Sequence, residues 1–244
     1  MINCENEDLT EPVTGIDVIS AYAYMEDFES DPGWISLSTE FPPNAYWDSL
    51  SGNYRVRTFD DLEDKYWTYS PEFGPVSGSS LVTIEFDMVC EVGDWGTYPG
   101  INLFDSEPTD IDNETKTFRL SFDWSENVYR KIQIRDKDQV NVYSPSPSFS
   151  DNIWYHFVLF YDGISEQATI TIREINSGVV IYSRNYLPFV LTDFSYIAMG
   201  YYNQPNFGTR WCPIRIDNIF IQNWNSTEAG RDAFKQRWRL SLRD

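Results

Sequence analysis

Histidine occurs once in this 244-residue chain, at His156, and cysteine three times, at Cys4, Cys90 and Cys212. With no cluster of soft ligands, zinc and similar metals have nowhere to bind. The cysteines show no metal-like spacing and allow one bridge or three free thiols. Basic residues are scarce as well: 18 Lys and Arg stand against 38 Asp and Glu, a net charge of −20. Such a surface repels phosphate backbones, so nucleic acid is excluded as a partner; cations, neutral ligands and basic proteins are not. No apolar run approaches the roughly 18 residues of a membrane span. A glycine-rich phosphate loop is missing, and no nucleophile elbow accompanies His156, which removes a serine triad. His156 sits in the apolar run "WYHFVLFYDG" and reads as a buried or inter-strand histidine.

What the chain has in excess is aromatic: 16 Tyr, 16 Phe and 9 Trp, 17% of residues. Large rings favour strands and binding surfaces. "SLVTIEFDMVCEV" alternates with period two, Val82, Ile84, Phe86, Met88, Cys90 and Val92 on one side and Thr83, Glu85, Asp87 and Glu91 on the other, as in a half-buried strand. "TFRLSFDW", "RKIQIRD" and "QVNVYS" continue the pattern, and "QATITIREINSGVVIYS" reads as a hairpin about "NSG". Turn signals at "SGN", "GPVSG", "SPSPS", "YDG" and "NSG" punctuate the strands. These features predict an all-β fold: a two-sheet antiparallel β-sandwich of jelly-roll type over residues 22–224. Residues 1–21 read as a leader or linker. Residues 225–244 form a basic tail with Arg231, Lys235, Arg237, Arg239 and Arg243, in which Ala233, Phe234, Trp238 and Leu242 have helical spacing. This tail suits a short helix that docks on the sandwich, binds an acidic neighbour or links onward.

The N-terminal segment has no basic stretch followed by an apolar one, so no signal peptide is visible. Cys4 followed by acidic, polar residues resembles the start of a processed bacterial lipoprotein, which points to an extracellular or cell-surface protein.

Several motifs fall in a particular order. "DFESDPGW" lies near the start and "IRIDNIFI" near the end. Between them come "YWTYSPEF", then "SLVTIEFDM", then "WYHFVLFYDG" with "ATITIRE" and "SGVVIYS". The arrangement, over about residues 24–222, resembles the concanavalin A-like jelly-roll superfamily. Its ends are similar to MAM domains and related carbohydrate-binding modules, and its "Trp-x-x-Phe … Tyr-Asp-Gly" section to laminin-G repeats. The resemblance implies that the first and last strands pair and that calcium sits at their junction, with Asp27, Glu29 and Asp217 at the matching positions. "MEDFESDPGW" then becomes the first strand, with Phe28 turned inward and Trp34 covering an end of the core. Calcium takes six to eight oxygen ligands and relieves a carboxylate cluster that would otherwise repel; a solvated acidic edge is the other reading of the same residues.

Glycoside hydrolases with this fold carry Glu-x-Asp and a second Glu two or three residues on. "EFDMVCE" places Glu91 four residues beyond Asp87, and on an unbroken strand Glu85 and Glu91 stand about 20 Å apart, too far for the roughly 5 Å of a retaining pair. A polar outer face of a core strand is the expected role. Sugars are bound by aromatic faces beside polar side chains. The candidates are Trp95 and Tyr98 in "GDWGTYPG", Trp124 and Tyr129 in "FDWSENVYR", and Tyr201, Tyr202, Asn203, Gln204 and Trp211 in "MGYYNQPNFGTRW". Arg119, Asp123, Gln133 and Arg135 are placed to line a concave sheet. The expected function is a non-catalytic carbohydrate-binding or adhesion module with a glycan partner; a protein-interaction or spacer domain, and a glycoside hydrolase or polysaccharide lyase, are the alternatives.

Overall fold

The computed structural model describes residues 20–36, 45–56, 65–91, 97–109, 116–122, 131–135, 141–145, 149–203, 214–224 and 226–241. Its strands form two antiparallel sheets packed face to face. The first sheet contains β1 (Ser20–Glu26), β3 (Ala45–Asp48), β4 (Asn53–Val56), β6 (Leu81–Cys90), β11 (Tyr155–Asp162), β12 (Gln167–Glu174), β13 (Val180–Tyr186) and β15 (Ile214–Trp224). Its order is β13-β12-β11-β6-β15-β4-β3, with β1 also pairing β15. The second contains β2 (Ile35–Ser36), β5 (Lys65–Tyr69), β7 (Thr97–Phe104), β8 (Lys116–Phe122), β9 (Lys131–Arg135), β10 (Asn141–Pro145) and β14 (Tyr196–Asn203). It is ordered β10-β9-β8-β7-β14-β5-β2. Helix α1 (Glu228–Ser241) follows the last strand.

Period-two alternation builds the core. Ile84, Phe86 and Met88 of β6, Phe157 and Leu159 of β11, and Ile216, Ile219 and Ile221 of β15 meet Ile101, Leu103, Phe118, Leu120, Ile197 and Met199 from the second sheet. Phe86 stacks on Phe157 at 4.8 Å and 4° between ring planes. The expected hairpin is β12–β13, and the first and last strands pair, Ser20 opposite Trp224 through Glu26 opposite Ile219.

Three expectations are corrected. β1 begins at Ser20, inside the segment read as leader, and stops at Glu26. "DFESDPGW" is therefore a loop, turned by Phe28 at φ 55° and Gly33 at φ 67°. Carboxylates at its start and middle bond to nearby amides: Phe28 N donates to Oε1 of Glu26, the last residue of β1, at 2.8 Å and Gly33 N to Asp31 Oδ1 at 3.0 Å, which fixes the turn locally. Phe28 and Trp34 still enter the core. Third, β6 is buried on both faces: Thr83 is fully buried and Glu85 only 5% exposed. The cause is α1, whose Phe234 packs with Leu81, Val158 and Phe160 on the outer side of the sheet, so the tail docks on the sandwich. Cys90 is disulfide-bonded; Cys4 and Cys212 lie outside the described residues.

Candidate functional sites

On the second sheet, residues that alternate with the core form an outer face of their own. Trp67, Tyr69, Phe104 and Ala198 make a separate buried cluster with Tyr196 beside it. The register carries the face across the strands. Tyr69 is opposite Ala198, Ala198 opposite Asn102, Asn102 opposite Arg119 and Arg119 opposite Arg135. Arg119 Nε donates to Asn102 Oδ1 at 3.1 Å. Asn102 is fully buried and Arg119 is 8% exposed, yet Asn102 Nδ2 has no hydrogen-bond partner among the described residues. A buried amide donor left so is costly unless something outside completes it. At the other end Tyr69 and Tyr196 donate to the exposed carboxylates of Glu107 (2.9 Å) and Glu72 (3.3 Å). Burial, then the bond to Glu107, pushes the Tyr69 hydroxyl up to about 12.

Of the aromatic and amide candidates from the sequence, Tyr98, Tyr201, Tyr202 and Asn203 lie on paired strands, Tyr98 opposite Tyr202 and Asn203 opposite Thr97. Trp95, Trp124, Tyr129, Gln204 and Trp211 lie outside the described residues, as does Asp123. Trp67, Tyr69, Asn102 and Phe104 were not among the candidates; alternation in "KYWTY" and "GINLF" carries them, but which side of those strands faces the core is settled only by the partner sheet.

The junction of β1 with β15 gathers acid. A bulge interrupts β15 opposite β6 between Asp217 and Phe220, with Asn218 at φ 51°; bulges of this kind re-aim side chains. Burial raises the Asp217 carboxyl to about 6 against the bond from Asn218 N, and the negative charges of Asp87, Glu29 and Asp27 add to the rise. The three candidate ligands thus act on one another, and Asp87, not foreseen, joins them. Asp27 Oδ1 also accepts from Glu29 N at 3.2 Å. Among the described residues no three His, Cys, Asp or Glu side chains converge as a metal-binding group.

The carboxylates of "EFDMVCE" are held by cations. Arg237 of α1 grips Glu85, Nη2 lying 2.9 Å from each oxygen. His156 stands opposite Asp87 in the register of β11 and β6. Its Nδ1 is 2.7 Å from Asp87 Oδ1 and its Nε2 3.3 Å from Glu85 Oε2. Burial alone would lower the imidazole pKa, but the bonds to Asp87 and Glu85 outweigh it and lift it to about 9. Asp87 Oδ2 accepts from Asn218 Nδ2 at 2.9 Å, and Glu91 pairs with Arg55 and Arg215. His156 is the inter-strand histidine expected, and the strand's polar face is an ion-pair network under a helix. A cavity of about 220 Å³ opens beside it, lined by Glu85, His156, Thr171, Arg173, Arg237 and Leu240 among others.

No sequence family matches the chain, and no curated protein does. Solved structures match in fold. One from work on endo-acting O-glycanases of the human gut microbiota aligns at TM-score 0.58 and 9% identity, over 84% of this chain and 100% of its own. A winged bean acidic lectin complexed with methyl-alpha-D-galactose aligns at 0.57 and 11%, over 84% and 98%. A pseudo beta-1,3-glucanase of Mycobacterium tuberculosis aligns at 0.53 and 10%, over 84% and 99%. The chain has the concanavalin A-like jelly-roll fold. No helix among the described residues is long and apolar enough to cross a membrane.

Proposed function

We propose that the protein is a non-catalytic carbohydrate-binding or adhesion module of a secreted or cell-surface protein, and that it binds glycan on the outer face of the second sheet. The observation that carries this reading is the fold, a two-sheet sandwich that aligns over 84% of its length with a lectin complexed with methyl-alpha-D-galactose. Its second sheet sets the candidates Tyr98, Tyr201, Tyr202 and Asn203 on the paired strands β7 and β14, and the same sheet holds the Asn102–Arg119 pair. Trp67, Tyr69 and Phe104 are too buried to meet a sugar. Rings for apolar sugar faces and fixed polar groups for hydroxyls are what saccharide recognition requires. The candidates Tyr98, Tyr201, Tyr202, Asn203, Trp95, Trp124, Tyr129, Gln204 and Trp211 belong to the same proposal. Lectins and glycan-cleaving proteins among the structural neighbours support it at the level of fold. Binding is favoured over hydrolysis because Glu85, Asp87 and Glu91 are each committed to a basic or amide partner, which leaves that strand no free acid–base pair. The Cys90 disulfide supports an oxidising, extracytoplasmic setting. A glycan array run with calcium and with chelator tests the reading: retention of one glycan class supports it, and no binding in either condition overturns it.

Calcium at the β1–β15 junction, with Asp27, Glu29 and Asp217 as ligands, is proposed with it. The acidic surplus around Asp217 fits a hard cation. With its pKa raised in the fold, Asp217 favours folding in its protonated form, and this contribution fades as pH rises from about 4 to about 6. Allowing for solvent screening of a half-exposed carboxylate, ionisation costs on the order of 1 kcal/mol at neutral pH. Without calcium, Asp217→Asn is therefore expected to raise Tm at pH 7 by a few degrees, about 2–4 °C. With calcium, the unmodified protein should gain Tm and the variant should not. Identical melting of the unmodified protein in calcium and EDTA would remove the metal.

A further inference from the structure

The outer face of the first sheet is covered unevenly. Helix α1 lies over β6 and β11: Phe234 packs on Leu81, Val158 and Phe160, and further along the helix Arg237 holds Glu85. Beyond β15, side chains on the same face stand in the open. Glu85 is opposite Phe220, and Phe220 is opposite Met25, so the three share a side of the sheet. Tyr22 joins them, its ring 6.0 Å from that of Phe220. Tyr22 is 58% exposed and Met25 60%, while Ala23 and Tyr24 between them pack on the core. The bulge between Tyr22 and Tyr24 is what sets both exposed side chains on one face.

Edge strands are normally protected by charge, proline or a covering element. β1 has no such protection: Ser20 to Met25 contains no charged residue, and among the described residues β1 pairs with β15 alone. Exposed Leu50, Ile164 and Leu187 lie singly in turns and bends and need no partner; Tyr22 and Met25 adjoin a third apolar side chain. The loop that follows is acidic, with Glu26, Asp27, Glu29 and Asp31. An apolar patch with carboxylates at one end is complementary to a partner with apolar and basic side chains. A second copy of this chain would bring another net −20 and the same acidic loop. Helix α1 provides the precedent for what this face accepts: 14 residues long, it sets Phe234 on the sheet and Arg237 on a carboxylate. Helices pack about 8–10 Å apart and strands about 4.8 Å apart. A helix beside α1 would therefore lie two strands over, on β15 and β1.

We infer that the patch of Tyr22, Met25 and Phe220 docks a basic amphipathic helix of a partner protein, laid beside α1. Its apolar stripe covers those three side chains, and its Lys or Arg residues face Glu26, Asp27 and Glu29. This surface belongs to the first sheet and the glycan candidates to the second, so the inference stands without the glycan reading.

The test is a titration of the whole chain, in EDTA so that no cation occupies the carboxylates, with a labelled Leu/Lys peptide. The peptide has the length of α1, 14 residues, and carries Leu at i, i+3, i+4 and i+7. It should bind, and bind on the order of tenfold more weakly at about 500 mM salt than at about 150 mM. Tyr22→Ser and Met25→Ser, both at exposed positions, should each weaken binding about tenfold. Val179→Ser, a comparably exposed site between β12 and β13, should leave it unchanged. No binding, or equal binding by the Tyr22 and Met25 variants, would overturn the site. A scrambled peptide of the same composition that binds as tightly would reduce the effect to polycation attraction and overturn it as well. Equal binding of a peptide with Glu for every Lys would overturn the basic partner. Self-association of the unmodified chain in sedimentation, abolished by Met25→Ser, would give the patch to a second copy and overturn the proposal.

Discussion

Replacing His156 with leucine is expected to cost about 3 kcal/mol of stability, measured by urea unfolding at pH 7. The imidazolium lies between Asp87 and Glu85, at 2.7 and 3.3 Å, and Glu85 is 5% exposed. Removing one member of a buried charge cluster leaves its partners facing each other without compensation, the case in which losses of about 3–5 kcal/mol are seen. Arg237 remains on Glu85, which places the expected loss at the low end. The pH dependence has a definite sign. The folded-state pKa, about 9, lies above the unfolded value near 6.5, so the stabilisation is complete below about pH 6.5 and is lost as pH rises through about 9. The full displacement corresponds to about 3 kcal/mol, less whatever water reaches the ring, which is 30% exposed. Stability of the unmodified protein should therefore decline between pH 7 and 10, and His156→Gln should flatten that decline. An unchanged slope in the variant would show that the imidazole is neutral in the fold.

The second large effect belongs to Gly100. A Cβ at this position would stand 2.0 Å from the Leu120 carbonyl oxygen and 2.8 Å from Ser121 Cα. Both obstacles are backbone, so no rotamer change relieves them. Gly100→Ala should cost about 3 kcal/mol, at the upper end of overpacking, by forcing β7 from β8. The same two strands carry Asn102 and Arg119, so glycan affinity should fall with stability. Substitution at Gly52, where a Cβ meets nothing within 4 Å, provides a comparison outside the second sheet: it should lower stability modestly through its φ of 58° and leave binding intact. Equal losses of binding in both variants would disconnect the β7–β8 spacing from the site.

Periodicity made most of the fold legible. β6, β12 and β13 follow directly from alternation and turn signals, because in a sandwich one face of each strand must enter the core, and β11 follows from a continuous apolar run. The pairing of first and last strands is implied only by the resemblance to the concanavalin A-like superfamily, as no local pattern encodes a contact between Glu26 and Ile219. The stretch after Glu26 has the pattern of a strand but is a loop, for a physical reason. Asp, Glu and Phe alternate there as they would on an edge strand, whereas the chain is turned by side chain-to-amide bonds and a left-handed Phe28. The clamp of Arg237 on Glu85 was illegible because the two are far apart in sequence and the tail alone allowed several roles. At the candidate sites, Asp217 could be named from its motif, but Asp87 enters its surroundings only through the β15 bulge. Trp67 and Asn102 share a face only once β5, β14 and β7 are in register.

The position of β15 sets the timing of folding. It lies between β6 on one side and β4 and β1 on the other, so three earlier segments of the first sheet wait for one late partner. During synthesis Ser20–Glu26 emerges nearly two hundred residues before the strand that completes it. Until Ile214–Trp224 is available, β1 and β4 are not joined to β6 and one edge of β6 is unpaired. Such non-local pairing slows folding and lengthens the exposure of apolar strands. The sandwich therefore cannot close before Ile214–Trp224 has emerged, and until then the apolar strands that precede it depend on local hairpins alone.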